Sequence, residues 1–302
     1  MARLGMKVFV AGATGFLGRA TCRALAAAGH EVTGLARTRD KAHALESESV
    51  RAIVGTLDDP DSYLEAAGRP EVVVHLAAAW MSGRETIEKA QSAGARILEW
   101  TRGLSRLAAD SSCRTFVFCG SSVNQGEDAA SDPVGYDRLL SLSQSYLKTH
   151  ARQVPLVVVL PGWVYGAGSW FPDLVQEIRS GVTTHIVGEG SAPLGYVHVD
   201  DVGEAFRLAV EKGAAGATYN VVDEEKLTAR DFVEATARAL GLAMPRGVSR
   251  EQAIRERGQV YAEALTCPVD LDVARTRLDL GWRPRYPTSR EGLPPVLRAL
   301  GA

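Results

Sequence analysis

Cysteine is scarce in this chain: 4 of 302 residues, Cys22, Cys113, Cys119 and Cys267. No two of them form a CxxC pair, so a zinc site built on paired thiolates is excluded by spacing. They read as reduced thiols packed as small apolar residues, which points to a cytoplasmic setting. No apolar run is long enough to cross a bilayer. Met6-Lys7-Val8 opens a strand directly, which leaves no room for a signal peptide. Basic runs are missing too, and 34 Lys and Arg against 36 Asp and Glu give a formal net charge of −2. That balance argues against a nucleic-acid or anionic-membrane partner. Linkers, internal repeats and low-complexity stretches are also lacking.

What remains is an ordinary globular composition, 46% hydrophobic and 23% charged. The length suits one large domain, or a large one with a smaller attachment.

The first stretch with chemical content is MKVFVAGATGFLGRATCRALAAAGHEVTGLAR, Met6 to Arg37. Lys7 to Ala11 reads as a buried parallel strand. Gly12-Ala13-Thr14-Gly15-Phe16-Leu17-Gly18 follows, then an apolar helical face through Phe16, Leu17, Ala20, Leu25 and Ala28. Gly29 ends that helix and Glu31 to Ala36 forms the second strand. In this setting Gly12 allows a tight turn, Gly15 lets the backbone approach a pyrophosphate, and Gly18 lets helix and strand pack closely. The first N–H groups of the helix face the phosphates. The plain alternative is a glycine-rich turn with no ligand.

The end of the second strand bears on the choice of dinucleotide. NAD sites usually carry a carboxylate there for the ribose hydroxyls. This chain has Arg37 and Arg39. Two guanidinium groups can pair with a 2′-phosphate, which favours NADPH. The plain reading is two solvated arginines.

Apolar strands alternate with helical patterns at Ser62–Ala67, Glu85–Ala109, Tyr136–Ala151, Pro172–Ser180 and Val202–Glu211. The fold class that follows is α/β: a Rossmann-like, doubly wound parallel sheet with ligands at the carboxyl ends of its strands. After about Gly166 the pattern breaks up, with loops expected around Gly188–Pro193 and Ala243–Val248.

The spacing Gly-Ala-Thr-Gly-Phe-Leu-Gly resembles the short-chain dehydrogenase/reductase superfamily, in its extended branch of NAD-dependent epimerases and dehydratases. VVVHLAAAW (Val72 to Trp80), FVFCGSSVNQG (Phe116 to Gly126), VVVLPGWVYG (Val157 to Gly166), YVHVDDVGEAF (Tyr196 to Phe206) and LGWRPRY (Leu280 to Tyr286) carry the likeness nearly end to end. It implies residues 1–166 as the NADP(H)-binding domain. Residues 167–302 then form mainly a small substrate-binding cap, with segments returning to the core. Besides the glycine turn and the two arginines, Thr56, Leu57, Leu76, Ala77, Ala78, Pro161, Gly162 and Val164 are expected along the cofactor.

The same likeness implies a catalytic Asn, a Ser or Thr, and a Tyr with a Lys four residues on. Ser121 and Tyr136 match. The lysine position is Leu140, the asparagine position is Gln91, and the arginine expected before Pro161 is Leu160. Lys148 lies twelve residues along the helix from Tyr136, roughly 18 Å, and cannot substitute. Three readings stay open: a reductase with an altered proton relay, an epimerase or dehydratase, and a non-catalytic NADPH-binding regulator. A neutral tyrosine can still donate a proton, whereas alcohol oxidation needs a phenolate that no ammonium supports here. The expectation is therefore a ketoreductase biased towards reduction, resting on Ser121 and Tyr136.

Sugar-nucleotide members carry an arginine two residues before the aromatic of the YVHVDD stretch. Here that position is Leu194, which disfavours a diphosphate substrate. Trp80, Ser122, Trp163, Tyr165 and Trp170 are the expected substrate contacts. Such aromatic walls suit a bulky, flat, aromatic or polyketide-type ketone, as in antibiotic biosynthesis. Any one of these rings can equally be core. Trp282 reads as packing, His198 as a satisfied buried histidine, and His75 as bonded locally. Asp200 and Asp201 read as the cap and first-turn acid of a helix. No metal site is expected. The chain is read as a monomer or a homodimer, joined through the helices Glu85–Ala109 and Tyr136–Ala151.

Overall fold

A computed structural model describes residues 5–79, 84–121, 134–150 and 154–301. Trp80 and Ser122 therefore lie outside the described residues. The chain runs β1 (Lys7–Ala11), α1 (Phe16–Ala27), β2 (Glu31–Ala36), α2 (Arg39–Glu46), β3 (Arg51–Val54), α3 (Leu64–Ala67), β4 (Val72–His75), α4 (Ile87–Asp110) and β5 (Thr115–Cys119). It continues through α5 (Asp137–His150), β6 (Leu156–Pro161), β7 (Trp163–Tyr165), α6 (Phe171–Ser180), β8 (Val182–Val187), β9 (Tyr196–His198) and α7 (Val199–Lys212). The last part holds β10 (Thr218–Val221), α8 (Ala229–Ala239), β11 (Arg246–Val248), α9 (Arg250–Glu256), α10 (Gln259–Thr266) and α11 (Ser289–Ala299).

Seven strands make one parallel sheet in the order β10-β6-β5-β4-β1-β2-β3. The doubly wound sheet expected from the alternating pattern is present. Its strands alternate between two cores, because successive side chains point to opposite faces. Val8, Val10, Val72, Val74, Val157 and Val159 pack with α1 and α7 on one face. Phe9, Val73, Phe116, Phe118, Leu156 and Val158 pack with Leu104 and Leu107 of α4 on the other. Burial on both faces explains why the strands read as continuous apolar runs.

A third apolar cluster gathers the later elements. Phe171, Leu174 and Ile178 of α6 meet Ile186 of β8, Phe232 and Val233 of α8, and Leu293 and Val296 of α11. β8 pairs with β11, so part of the expected loop Ala243–Val248 is a short strand. β7 pairs with β9, and β10 returns to edge the large sheet. The cap of α7 is His198, whose Nδ1 accepts from Asp200 N at 3.2 Å, so Asp200 is a first-turn acid and not the cap. Trp282 is fully buried, as expected for packing, and its Nε1 donates to Asp201 O. No helix among the described residues is long and apolar enough to cross a membrane.

Candidate active site

Strand order reverses between β1 and β4, and this is where an open α/β sheet leaves a crevice at its carboxyl edge. Gly12 leaves β1 with φ +87°, a left-handed conformation that favours glycine. A Cβ on it would lie 2.7 Å from the backbone nitrogen of Ala77, just beyond β4. A Cβ on Gly18 would lie 2.0 Å from the Gly12 carbonyl oxygen, so α1 seats directly on the turn. Gly15 stands at the N-cap of α1, exposed, and no side chain caps the helix. This cradle of bare backbone at an uncapped helix start fits the pyrophosphate of a dinucleotide. Thr14, Phe16 and Leu17 are half-buried around it. Thr14, Gly15 and Phe16 also border a cleft of about 480 Å³ shared with Arg19, Arg23, His198 and Asp200.

Arg37 and Arg39 follow β2 on the rim. Both are exposed, and neither makes an ion pair among the described residues. Thr56 and Leu57 lie half-buried after β3, where Ser62 Oγ accepts from the Thr56 amide at 3.0 Å. Beside them Asp58 takes hydrogen bonds from Arg96 and from Trp100 Nε1 on α4. That contact pulls its carboxyl down to about 2. Leu76 and Ala77 are half-buried and Ala78 is exposed after β4. Pro161 ends β6 buried, while Gly162 and Val164 are half-buried at the same edge.

Ser121 follows β5, partly exposed at its carboxyl end. Tyr136 sits just before α5. Its hydroxyl donates to Glu85 Oε2 at 2.8 Å. Burial and the neighbouring Glu85 hold the phenol well above its ordinary pKa, and burial lifts the Glu85 carboxyl above the usual carboxylate range. Leu140, four residues on, is half-buried among apolar neighbours of two clusters. Tyr136 therefore has a carboxyl partner in place of an ammonium. Glu85 is held from behind: its N–H donates to Arg257 O at 2.8 Å and its carbonyl accepts from Val260 N at 3.1 Å.

The aromatic residues form a connected wall. Trp163 makes edge contacts with Tyr136 at 6.3 Å, Trp170 at 5.7 Å and His185 at 5.4 Å. Trp170 is half-buried, stacks on His185 at 4.5 Å and donates Nε1 to Val164 O at 2.9 Å. Tyr165 is fully buried against Phe171, His198 and Phe232, with its hydroxyl turned to Asp223 at 3.4 Å. In this conformation it belongs to the core behind the wall. Burial pushes His185 down to about 3, so it is neutral, and its Nε2 meets Tyr196 Oη at 2.9 Å.

Sequence reasoning missed Glu85, Arg257 and His185. Glu85 is 51 residues from its phenol partner, and no local signal joins the two. His75 is not bonded locally: its Nε2 meets Thr101 Oγ1 of α4 at 3.0 Å, and Thr101 in turn donates to Ser143 of α5. No cluster of metal ligands occurs among the described residues.

Comparison with known proteins agrees with this architecture. The chain is 31% identical to a 3-diazoavenalumate denitrifying reductase from a Streptomyces species, over 95% of this chain and 99% of that protein. It is 30% identical to the 2-alkyl-3-oxoalkanoate reductase of Stenotrophomonas maltophilia, over 78% and 76% of the two chains. The UDP-glucose 4-epimerase of Thermus thermophilus, solved in complex with NAD, superposes with a TM-score of 0.76 at 21% identity, covering 98% of this chain and 99% of that one. At that identity the likeness shows the fold alone. The model of the NAD dependent epimerase/dehydratase family matches residues 8–222, from the first strand of the sheet to just past its last. The chain belongs to the NAD dependent epimerase/dehydratase family.

Proposed function

We propose that the chain is an NADPH-dependent reductase that converts the ketone of a bulky, aromatic or polyketide-type substrate to an alcohol without the usual Tyr-Lys pair. The observation that carries this reading is the hydrogen bond from Tyr136 to Glu85 with Leu140 beside it. Gly12, Thr14, Gly15, Phe16, Leu17 and Gly18 hold the pyrophosphate, and Arg37 and Arg39 meet the 2′-phosphate. Thr56 and Leu57 border the adenosine. Leu76, Ala77, Ala78, Pro161, Gly162 and Val164 line the path to the nicotinamide. When bound, the reduced nicotinamide supplies a hydride.

The remaining chemistry belongs to the chain. Ser121 and Tyr136 face the substrate oxygen as hydrogen-bond donors, and the Tyr136 phenol gives it a proton. Held to the Glu85 carboxyl, with Leu140 in the lysine position, the phenol stays protonated between turnovers, so it can give a proton to the substrate oxygen and cannot rest as a phenolate base. Epimerases and dehydratases of this type must first oxidise an alcohol, which needs that base. The missing phenolate support therefore speaks for reduction alone. Trp163 and Trp170 offer flat apolar contact to the substrate body and keep water from its oxygen. The 2-alkyl-3-oxoalkanoate reductase among the relatives supports a ketone as hydride acceptor.

A second reading has its own support. The relative matched over 95% of this chain is named for reductive loss of nitrogen from a diazo compound. Hydride delivery to a diazo nitrogen needs no proton donor at a carbonyl oxygen, which suits a site that lacks the lysine.

Oxidation of NADPH followed spectroscopically, with aromatic β-ketones in one series and 3-diazoavenalumate in the other, separates the two readings. Turnover of ketones with no oxidation of the product alcohols at equal cofactor concentration is the expected result. Turnover of the diazo compound alone establishes the second reading. Tight NADPH binding with neither activity would identify a binding protein and end both.

A further inference from the structure

Glu85 is pinned at both of its peptide groups by the turn between α9 and α10, and its side chain meets the phenol that opens α5. Three segments distant in sequence thus converge on one carboxyl–phenol contact. We infer that Glu85 is a positioning residue that keeps Tyr136 loaded with its proton, so that the phenol serves a substrate oxygen as donor. This rests on the reading of the chain as a reductase.

The proton moves in a closed sequence. The phenol O–H of Tyr136 goes to the substrate oxygen, whose carbon has gained the hydride. In its protonated form the Glu85 carboxyl gives its O–H proton to the electron pair left on the phenol oxygen, across the 2.8 Å contact. Water then returns a proton to Glu85. When Glu85 is ionised, the phenol proton is committed to the carboxylate and the sequence stalls. Turnover therefore falls as pH rises through the Glu85 titration.

The groups that bear on that titration come from every neighbouring element. Tyr136 opens α5 and Lys89 lies in the first turn of α4. Arg257 follows α9, stacks over the ring of Tyr261 on α10, and is shared with Glu177 of α6 at 3.8 Å. Arg257 and Lys89 favour the carboxylate, and burial opposes them and dominates.

Glu85→Gln keeps the shape and the hydrogen bond while removing the titration. The expected result is a fall in kcat on the order of 10²-fold, with unchanged NADPH affinity and loss of the alkaline decline in rate. A second readout needs no turnover: 3-fluorotyrosine placed at position 136 and followed by fluorine NMR against pH. Its phenol should lose roughly tenfold in proton affinity when Glu85 becomes Gln. Glu85→Asp retains the titrating group and should retain the alkaline decline. Wild-type kcat and pH profile in Glu85→Gln, or an unshifted fluorine titration, would overturn the assignment. A shifted titration in a chain that reduces no ketone would uphold it and sink the ketoreductase reading instead.

Discussion

Gly258 crosses Glu85 so closely that a Cβ on it would lie 2.3 Å from the Glu85 carbonyl oxygen and 2.4 Å from its nitrogen. Its φ of +101° lies in the region that favours glycine. The turn after α9 thereby fixes the acid that faces Tyr136, although more than 170 residues of chain separate them.

Gly258→Ala should lower stability by about 1–3 kcal/mol through backbone strain alone. The displaced Glu85 should also reduce kcat with little change in KM. Urea unfolding and steady-state kinetics on the same variant check both effects, and a fully stable, fully active Gly258→Ala contradicts the described clamp.

Gly18→Ala puts a methyl group where the Gly12 carbonyl oxygen already sits. Helix α1 must then lift from the turn, at about 1–3 kcal/mol for the forced shift. NADPH affinity should fall more than tenfold, measured by quenching of protein fluorescence on cofactor addition. Affinity at the level of the unaltered chain would mean that the pyrophosphate does not lie on this turn.

Replacing Arg37 and Arg39 together by Ala should weaken NADPH binding by 10- to 100-fold. The scale is that of one or two charge-assisted hydrogen bonds, about 1.5–3 kcal/mol. NADH binding should change little. Isothermal titration with both cofactors gives the comparison, and equal losses for the two would remove the arginines from the 2′-phosphate.

Burial pushes the Asp223 carboxyl up to about 9 from 3.8, with Asp201 adding to the effect. Its Oδ1 has no hydrogen-bond partner among the described residues. The native chain binds this proton more tightly than the unfolded chain does. The resulting stability is full below pH 3.8 and is lost as pH rises through about 9. Asp223→Asn removes that dependence. Its urea midpoint should exceed that of the unaltered chain at pH 9 and approach or fall below it at pH 5. A constant difference across that range would show that Asp223 does not titrate in this way.

Much of this molecule was legible without coordinates. The apolar runs Lys7–Ala11, Val72–His75 and Leu156–Pro161 announce strands buried on both faces, because two-sided burial leaves no room for polar alternation. The glycine turn was readable for the same kind of reason. Gly12 and Gly18 answer local steric demands that appear in the sequence as the absence of a side chain. The family resemblance implies a lysine four residues after Tyr136, and the sequence shows Leu140 there directly; i and i+4 on a helix share a face whatever surrounds them.

What stands opposite Tyr136 was settled only by tertiary packing. The sequence shows a phenol without its usual cation, and it cannot show that a loop 51 residues earlier brings Glu85 to 2.8 Å. Nor does it divide the aromatic residues, for Tyr165 ends fully buried while Trp170 keeps part of its ring exposed. The pairing of His75 with Thr101 has the same origin. Backbone geometry and alternation are local and leave a periodic trace in the chain. Contacts between separate elements depend on how whole faces pack, and they leave none.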